Sequence, residues 1–88
     1  MIAETLPRLT LRKVAILLHL EDGKPYKQIA ADLDMHINTV HLHIRQIAKD
    51  LPERAHLSHR DVVLLYLDRL LEANADIALR VRATNRAA

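Results

Sequence analysis

His36, His41 and His43 fall within eight residues of one another. Imidazoles so close together suggest either ligation of a metal ion or a polar surface offered to a ligand, and their spacing separates the two. On an α-helix, which turns about 100° per residue, His41 and His43 project to different sides. His36 and His43 share a side, but seven residues of helical rise put them roughly 10 Å apart. Metal–nitrogen bonds are about 2 Å long, so neither pair closes on one ion. His56 and His59 stand further along with no spacing that brings them in. The sequence therefore predicts no metal site.

The polar-surface reading fits better. Ile37, Val40, Ile44, Ile47, Ala48 and Leu51 recur on one helical stripe. Asn38, His41, Leu42, Arg45 and Lys49 fall on the opposite side, and no acidic residue occurs from Ile37 to Lys49. A helix held by its apolar back then presents a cationic front of the size that enters the major groove of double-stranded DNA. On that front Arg45 can fork onto a guanine edge, His41 can donate to a base acceptor, and Leu42 can meet a thymine methyl. Asn38 shares this base-reading face. Thr39, Lys49 and Lys27 are better placed for phosphates, which position a protein without reading sequence. The competing reading is the solvated face of an ordinary core helix. A short helix and a tight turn just before the stretch favour DNA.

Other chemistries lack their residues. There is no cysteine, no glycine-rich phosphate loop and no pair of carboxylates flanking an evident pocket. Ser58 beside His59 reads more simply as a helix cap than as a nucleophile. The chain is thus expected to be neither an enzyme nor a cofactor carrier. Tyr26 and Tyr66 are the only aromatic residues, too few to stack the bases of a single strand. The net charge of +2 is mildly basic and decides nothing by itself. VAILLHL and VVLLYL are far shorter than the roughly 20 residues of a membrane helix. Arg12 and Lys13 precede the first of these runs as in a signal peptide, but EDGK follows without a small-residue cleavage site. A cytoplasmic protein is expected.

These side chains need a scaffold, and the composition predicts an all-α one. The 88 residues make a single domain, 1–88, whose core must be Leu, Ile, Val and Ala. Leu11, Val14, Ala15 and Leu18 repeat with helical period, Thr10 can cap their start, and Gly23 can stop them. Pro25 opens a short second helix with Ile29, Ala30 and Leu33 inside. Residues 34–36 form the turn, and the third helix runs until Pro52. PERAHLS connects to a fourth helix, opened by Ser58 and Asp61 as a capping box. The helix-turn-helix core spans 9–51, the fourth helix 58–79 and a basic tail 80–88.

From Leu9 to about Ala73 the chain resembles the LuxR-type (GerE-like) helix-turn-helix domain. LTLR at Leu9–Arg12, Gly23, QIAADL at Gln28–Leu33 and TVHLHI at Thr39–Ile44, with Ile47 and Leu51 beyond, carry the resemblance. It implies a four-helix domain that binds DNA through its third helix and often dimerises through its fourth. Matched position by position, base reading falls on His41, Leu42 and Arg45, and backbone support on Thr39 and His43. Lys13, where the family commonly has Glu, joins the candidate backbone contacts. His36 stands where a capping Ser is usual, and Lys is common at the positions held here by His41 and Asp50.

The fourth helix is apolar over more than half its circumference, so it should have two neighbours. Val63, Tyr66, Leu67, Leu70 and Ile77 define one face; Leu64, Leu71, Ala75 and Ala78 widen it. A homodimer through Val63, Leu64, Leu67, Leu71, Ala75 and Ala78 is expected, placing two recognition helices on an inverted repeat. The other possibility is that the helix folds back on its own domain. Few residues precede the match, so no sensor domain is expected. The function that follows is a sequence-specific transcription regulator of bacterial or phage type, binding double-stranded DNA through residues 37–49. The alternative is a protein-interaction module that keeps the fold, an anti-activator or an adaptor to RNA polymerase or another regulator.

Overall fold

The computed structural model describes residues 6–52 and 56–87, with side chains as far as residue 84. Glu53, Arg54 and Ala55 of the expected connection, together with Arg86 of the expected tail, lie outside the described side chains. Six helices follow one another, and the described residues contain no strand: α1 (Leu11–Glu21), α2 (Tyr26–Asp32), α3 (Ile37–Lys49), α4 (His59–Leu65), α5 (Leu67–Ala73) and α6 (Ala75–Ala87). None is long and apolar enough to cross a membrane.

Local chemistry sets the ends of the first three helices. The Thr10 hydroxyl accepts from the Lys13 amide at 3.3 Å and caps α1. Gly23, at φ +77°, closes it: its N–H reaches the Leu20 carbonyl, and the Lys24 N–H reaches that of His19. These paired bonds are the Schellman motif, which needs a left-handed residue where Gly23 stands. The same motif ends α2, with Asp34 N–H on Ala31 and Met35 N–H on Ala30. Asp34 takes the left-handed position at φ +52° without being glycine. His36 follows two residues later as the cap of α3. Its Nδ1 accepts from the Asn38 amide at 3.0 Å, the task a serine hydroxyl usually performs. Residues 33–36 are therefore a turn fixed at both ends, and its geometry determines how α3 leaves α2.

The core gathers the apolar faces of all the helices. Val14, Ile16, Leu17, Ile29, Val40, Ile44, Ile47, Val63 and Leu70 are almost completely buried. Ala30 is buried at the α2–α3 contact, where a small side chain lets the helices cross closely. α3 is held on its apolar side by α1, α2 and α4.

The C-terminal third corrects two expectations. One long helix over 58–79 is replaced by three segments, with breaks at Tyr66 and Asn74, and residues 80–87 continue α6 rather than forming a tail. At Asn74 the backbone leaves helical values (φ −117°, ψ 32°), and the carboxamide Nδ2 donates to the Leu70 carbonyl at 2.9 Å. A side chain inserted into the backbone ladder bends a helix. The bends let α4 lie on α3 while α5 and α6 pack on α1.

Asn74 is also the one fully buried polar residue among those described. Its Oδ1 accepts from the Leu9 amide at 2.9 Å, and Nδ2 also donates to the Pro7 carbonyl at 3.2 Å. The N-terminal arm is thereby fastened to the C-terminal bend. The expected dimer face is largely consumed by this arrangement. Val63, Leu67, Leu71 and Ala78 are buried in the chain's own core, leaving only Leu64 and Ala75 of that set exposed. Within the chain the apolar circumference is covered by α3 and α1.

Candidate nucleic-acid interface

With Val40, Ile44, Ile47 and Ala48 turned inward, the rest of α3 is fixed in orientation. Asn38, His41, Leu42, Arg45, Gln46 and Lys49 are exposed along its outer face. Leu42, about half exposed at 46%, sits amid these polar groups, where an aliphatic side chain gains nothing from water. Gln46 belongs to this front although the sequence reading passed it over. On the helical wheel it lies between Leu42 and Thr39, so the signal was present. Thr39 and His43 are half-buried along one edge of the face.

That edge meets α1. His43 lies near Lys13 and Arg12, and its Nδ1 is buried with no hydrogen-bond partner. Burial pushes the imidazole below its usual pKa, the Lys13 charge adds to this, Gln46 opposes it, and Arg12 adds slightly. His43 is thus a packed side chain, less free to reach a phosphate than the resemblance implied. Lys13 is half-buried beside it.

The other edge meets α2 and α4. His41 packs edge-on against Tyr26, ring centroids 4.6 Å apart at 77°. The Arg60 guanidinium lies 5.1 Å from the centre of the Tyr26 ring, a cation–π contact. Burial raises the Tyr26 phenol above its usual pKa, Arg60 partly offsets that, and Asp61 adds to it. His41 is therefore positioned by an aromatic neighbour rather than free on the front. Tyr26, His41, Ile44, Arg45, Ser58, His59 and Arg60 surround an open cleft of about 490 Å³. Tyr26 and Arg60 could not be found from α3 alone, because the packing of α2 brings Tyr26 there and that of α4 brings Arg60.

Charge is distributed unevenly. Lys24 pairs with Asp32 at 2.9 Å, Arg82 with Glu21 at 3.3 Å, and Arg8 with Asp76. Lys13, Lys27, Arg45, Lys49 and Arg60 have no carboxylate within 4.0 Å among the described residues. Of these, Arg45 and Lys49 lie on α3, and Lys13 and Arg60 stand at its edges.

Two helices joined by a fixed turn, the second presenting an exposed cationic face, form a helix-turn-helix. Residues 2–51 match the family described as sigma-70, region 4, over more than half of the chain. The chain belongs to the sigma-70 region 4 family. This is a helix-turn-helix DNA-binding fold, and its matched span ends where α3 meets Pro52. LTLR, Gly23, QIAADL and TVHLHI all lie inside that span. α4, α5 and α6 lie beyond it. Comparison with curated proteins and with solved structures gave no match.

Proposed function

We propose that this sigma-70 region 4 domain is a sequence-specific regulator of transcription that reads double-stranded DNA with α3 in the major groove. The observation that carries this is the outer face of α3: exposed Asn38, Leu42, Arg45 and Lys49, the two cations with no carboxylate within 4.0 Å among the described residues, on a helix held from behind by α1, α2 and α4. Arg45 is the principal base reader, since a guanidinium fork matches the paired acceptors of a guanine edge. Asn38 and Leu42 complete the reading face, and His41 contributes from its place beside Tyr26. Thr39, Lys27, Lys49 and Lys13 serve the phosphates. Arg45→Ala should cost about 1–3 kcal/mol at the preferred site and relax selectivity there. Lys49→Ala should weaken binding evenly across sequences and flatten its dependence on salt. Unchanged site-specific affinity in Arg45→Ala would remove α3 as the reading element.

The family match supports a second reading, in which the domain reads promoter DNA while bound to RNA polymerase. Exposed Leu11, Leu64, Leu65 and Leu79, on α1, α4 and α6, offer apolar contacts. A co-purification in which polymerase retains the domain without DNA separates this reading from the first. A homodimer on an inverted repeat would need an interface other than Val63, Leu67, Leu71 and Ala78.

A further inference from the structure

We propose that the cleft between α2, α3 and α4 seats a backbone phosphate of the bound duplex, with Arg60 as its principal donor. The proposal rests on the reading of α3 as the groove-entering helix. It extends the DNA surface to α4, outside the span of the family match.

Position is the first argument. A helix lying in the major groove has a sugar–phosphate strand along each of its edges. On one edge of α3, Lys13 and Arg12 from α1 stand beside His43. On the other, His41 and Arg45 form the wall of the cleft, and Arg60 closes it from α4. A strand passing that edge must cross the mouth of the cleft.

The lining supplies the second argument. Among the described residues, two guanidinium groups, two imidazoles, a tyrosine and a serine surround the cleft with one isoleucine, and no carboxylate lines it. The Ser58 oxygen accepts from the Asp61 amide at 3.1 Å, which leaves its own O–H to donate. Asp61 lies close enough to act on the Tyr26 phenol but is not part of the lining. The chemistry suits a singly charged tetrahedral oxyanion.

The third argument is preorganisation. Arg60 is half-buried over the Tyr26 ring, and Tyr26 is braced by His41. A cation–π contact holds the guanidinium while leaving its N–H groups to hydrogen-bond a phosphate. Less side-chain freedom is then lost on binding than for an extended surface lysine.

The test compares wild type, Arg60→Gln and Arg60→Lys on a selected duplex and on an unrelated duplex across a salt series. A phosphate-ethylation interference map of each protein accompanies it. Arg60→Gln should bind both duplexes about tenfold more weakly, the loss of one charge-assisted hydrogen bond. Its salt slope should fall by about one. Its preference between the duplexes should persist, and the interference signal should vanish at one or two phosphates on one edge of the site. Arg60→Lys should recover part of the slope, and all three proteins should melt within a few degrees of one another. Wild-type affinity, slope and interference pattern in Arg60→Gln would overturn the proposal while leaving the α3 reading intact. No salt-sensitive duplex binding by wild type would instead remove the underlying reading. Saturable, Arg60-dependent binding of adenosine monophosphate at micromolar concentration, with an unaltered interference map, would assign the cleft to a free phosphate and also overturn it.

Discussion

Replacing Asn74 by alanine tests the link between the N-terminal arm and the C-terminal bend. The Asn74 side chain is fully buried and makes three hydrogen bonds. The partners would not be affected equally. The Leu70 carbonyl keeps the Asn74 amide at 3.1 Å, so it stays satisfied. The Pro7 carbonyl is part-buried and can be reached by water. The buried Leu9 amide loses its acceptor, at a cost of about 1–3 kcal/mol for an unmade buried bond. Adding the small void left by the carboxamide gives a total of about 2–4 kcal/mol. For a domain of this size that corresponds to a fall of roughly 10–20 °C in melting temperature. Thermal and urea unfolding followed by circular dichroism would measure it. Asn74→Asp should be no better, because its second oxygen would face the carbonyls of Pro7 and Leu70. A loss below about 0.5 kcal/mol for Asn74→Ala, within the range of an ordinary surface change, would refute the reasoning.

His36→Ala should destabilise the domain by about 1 kcal/mol in urea titration by uncapping α3, and His36→Ser should restore most of it. Asp34→Gly should be neutral or stabilising by up to about 1 kcal/mol, whereas Asp34→Val, which tolerates a positive φ poorly, should lower the urea midpoint. Stability should also fall as pH drops. Burial first and the Lys24 charge second hold His19 below its ordinary pKa, with Asp32 and Asp22 opposing; burial and Lys13 do the same to His43. The unfolded chain, with histidines near the ordinary value of about 6.5, takes up protons first as pH falls. Stability should therefore be full above about pH 7 and decline through pH 6 and below, and His19→Gln combined with His43→Gln should flatten that decline in urea midpoints measured from pH 5 to 8.

The local signals in the sequence were sufficient where structure is local. The caps Thr10 and Ser58, the glycine stop at Gly23 and the inward stripe of α3 all occur where their types and spacing place them. The outer face of α3 follows from the same periodicity. What periodicity cannot tell is which neighbour covers an apolar face. Val63, Leu67, Leu71 and Ala78 give the same pattern whether they meet a second copy or the chain's own α3 and α1. Nothing in the sequence singles out Asn74, and only the arrival of Leu9 and Pro7 makes it a buried anchor. His36 was legible as an unusual residue at a capping position, though not as a cap using its own ring nitrogen. Tyr26 became part of the interface through the packing of α2 on α3, and Arg60 through that of α4.

The central claim is that α3 reads a DNA sequence, chiefly through Arg45. Selecting bound duplexes from a random pool, with wild type and Arg45→Ala in parallel, tests it most directly. Wild type should enrich a defined motif containing a guanine whose enrichment disappears in Arg45→Ala, while the rest of the motif persists. Enrichment of no motif by wild type, or of the same guanine by both proteins, would contradict it.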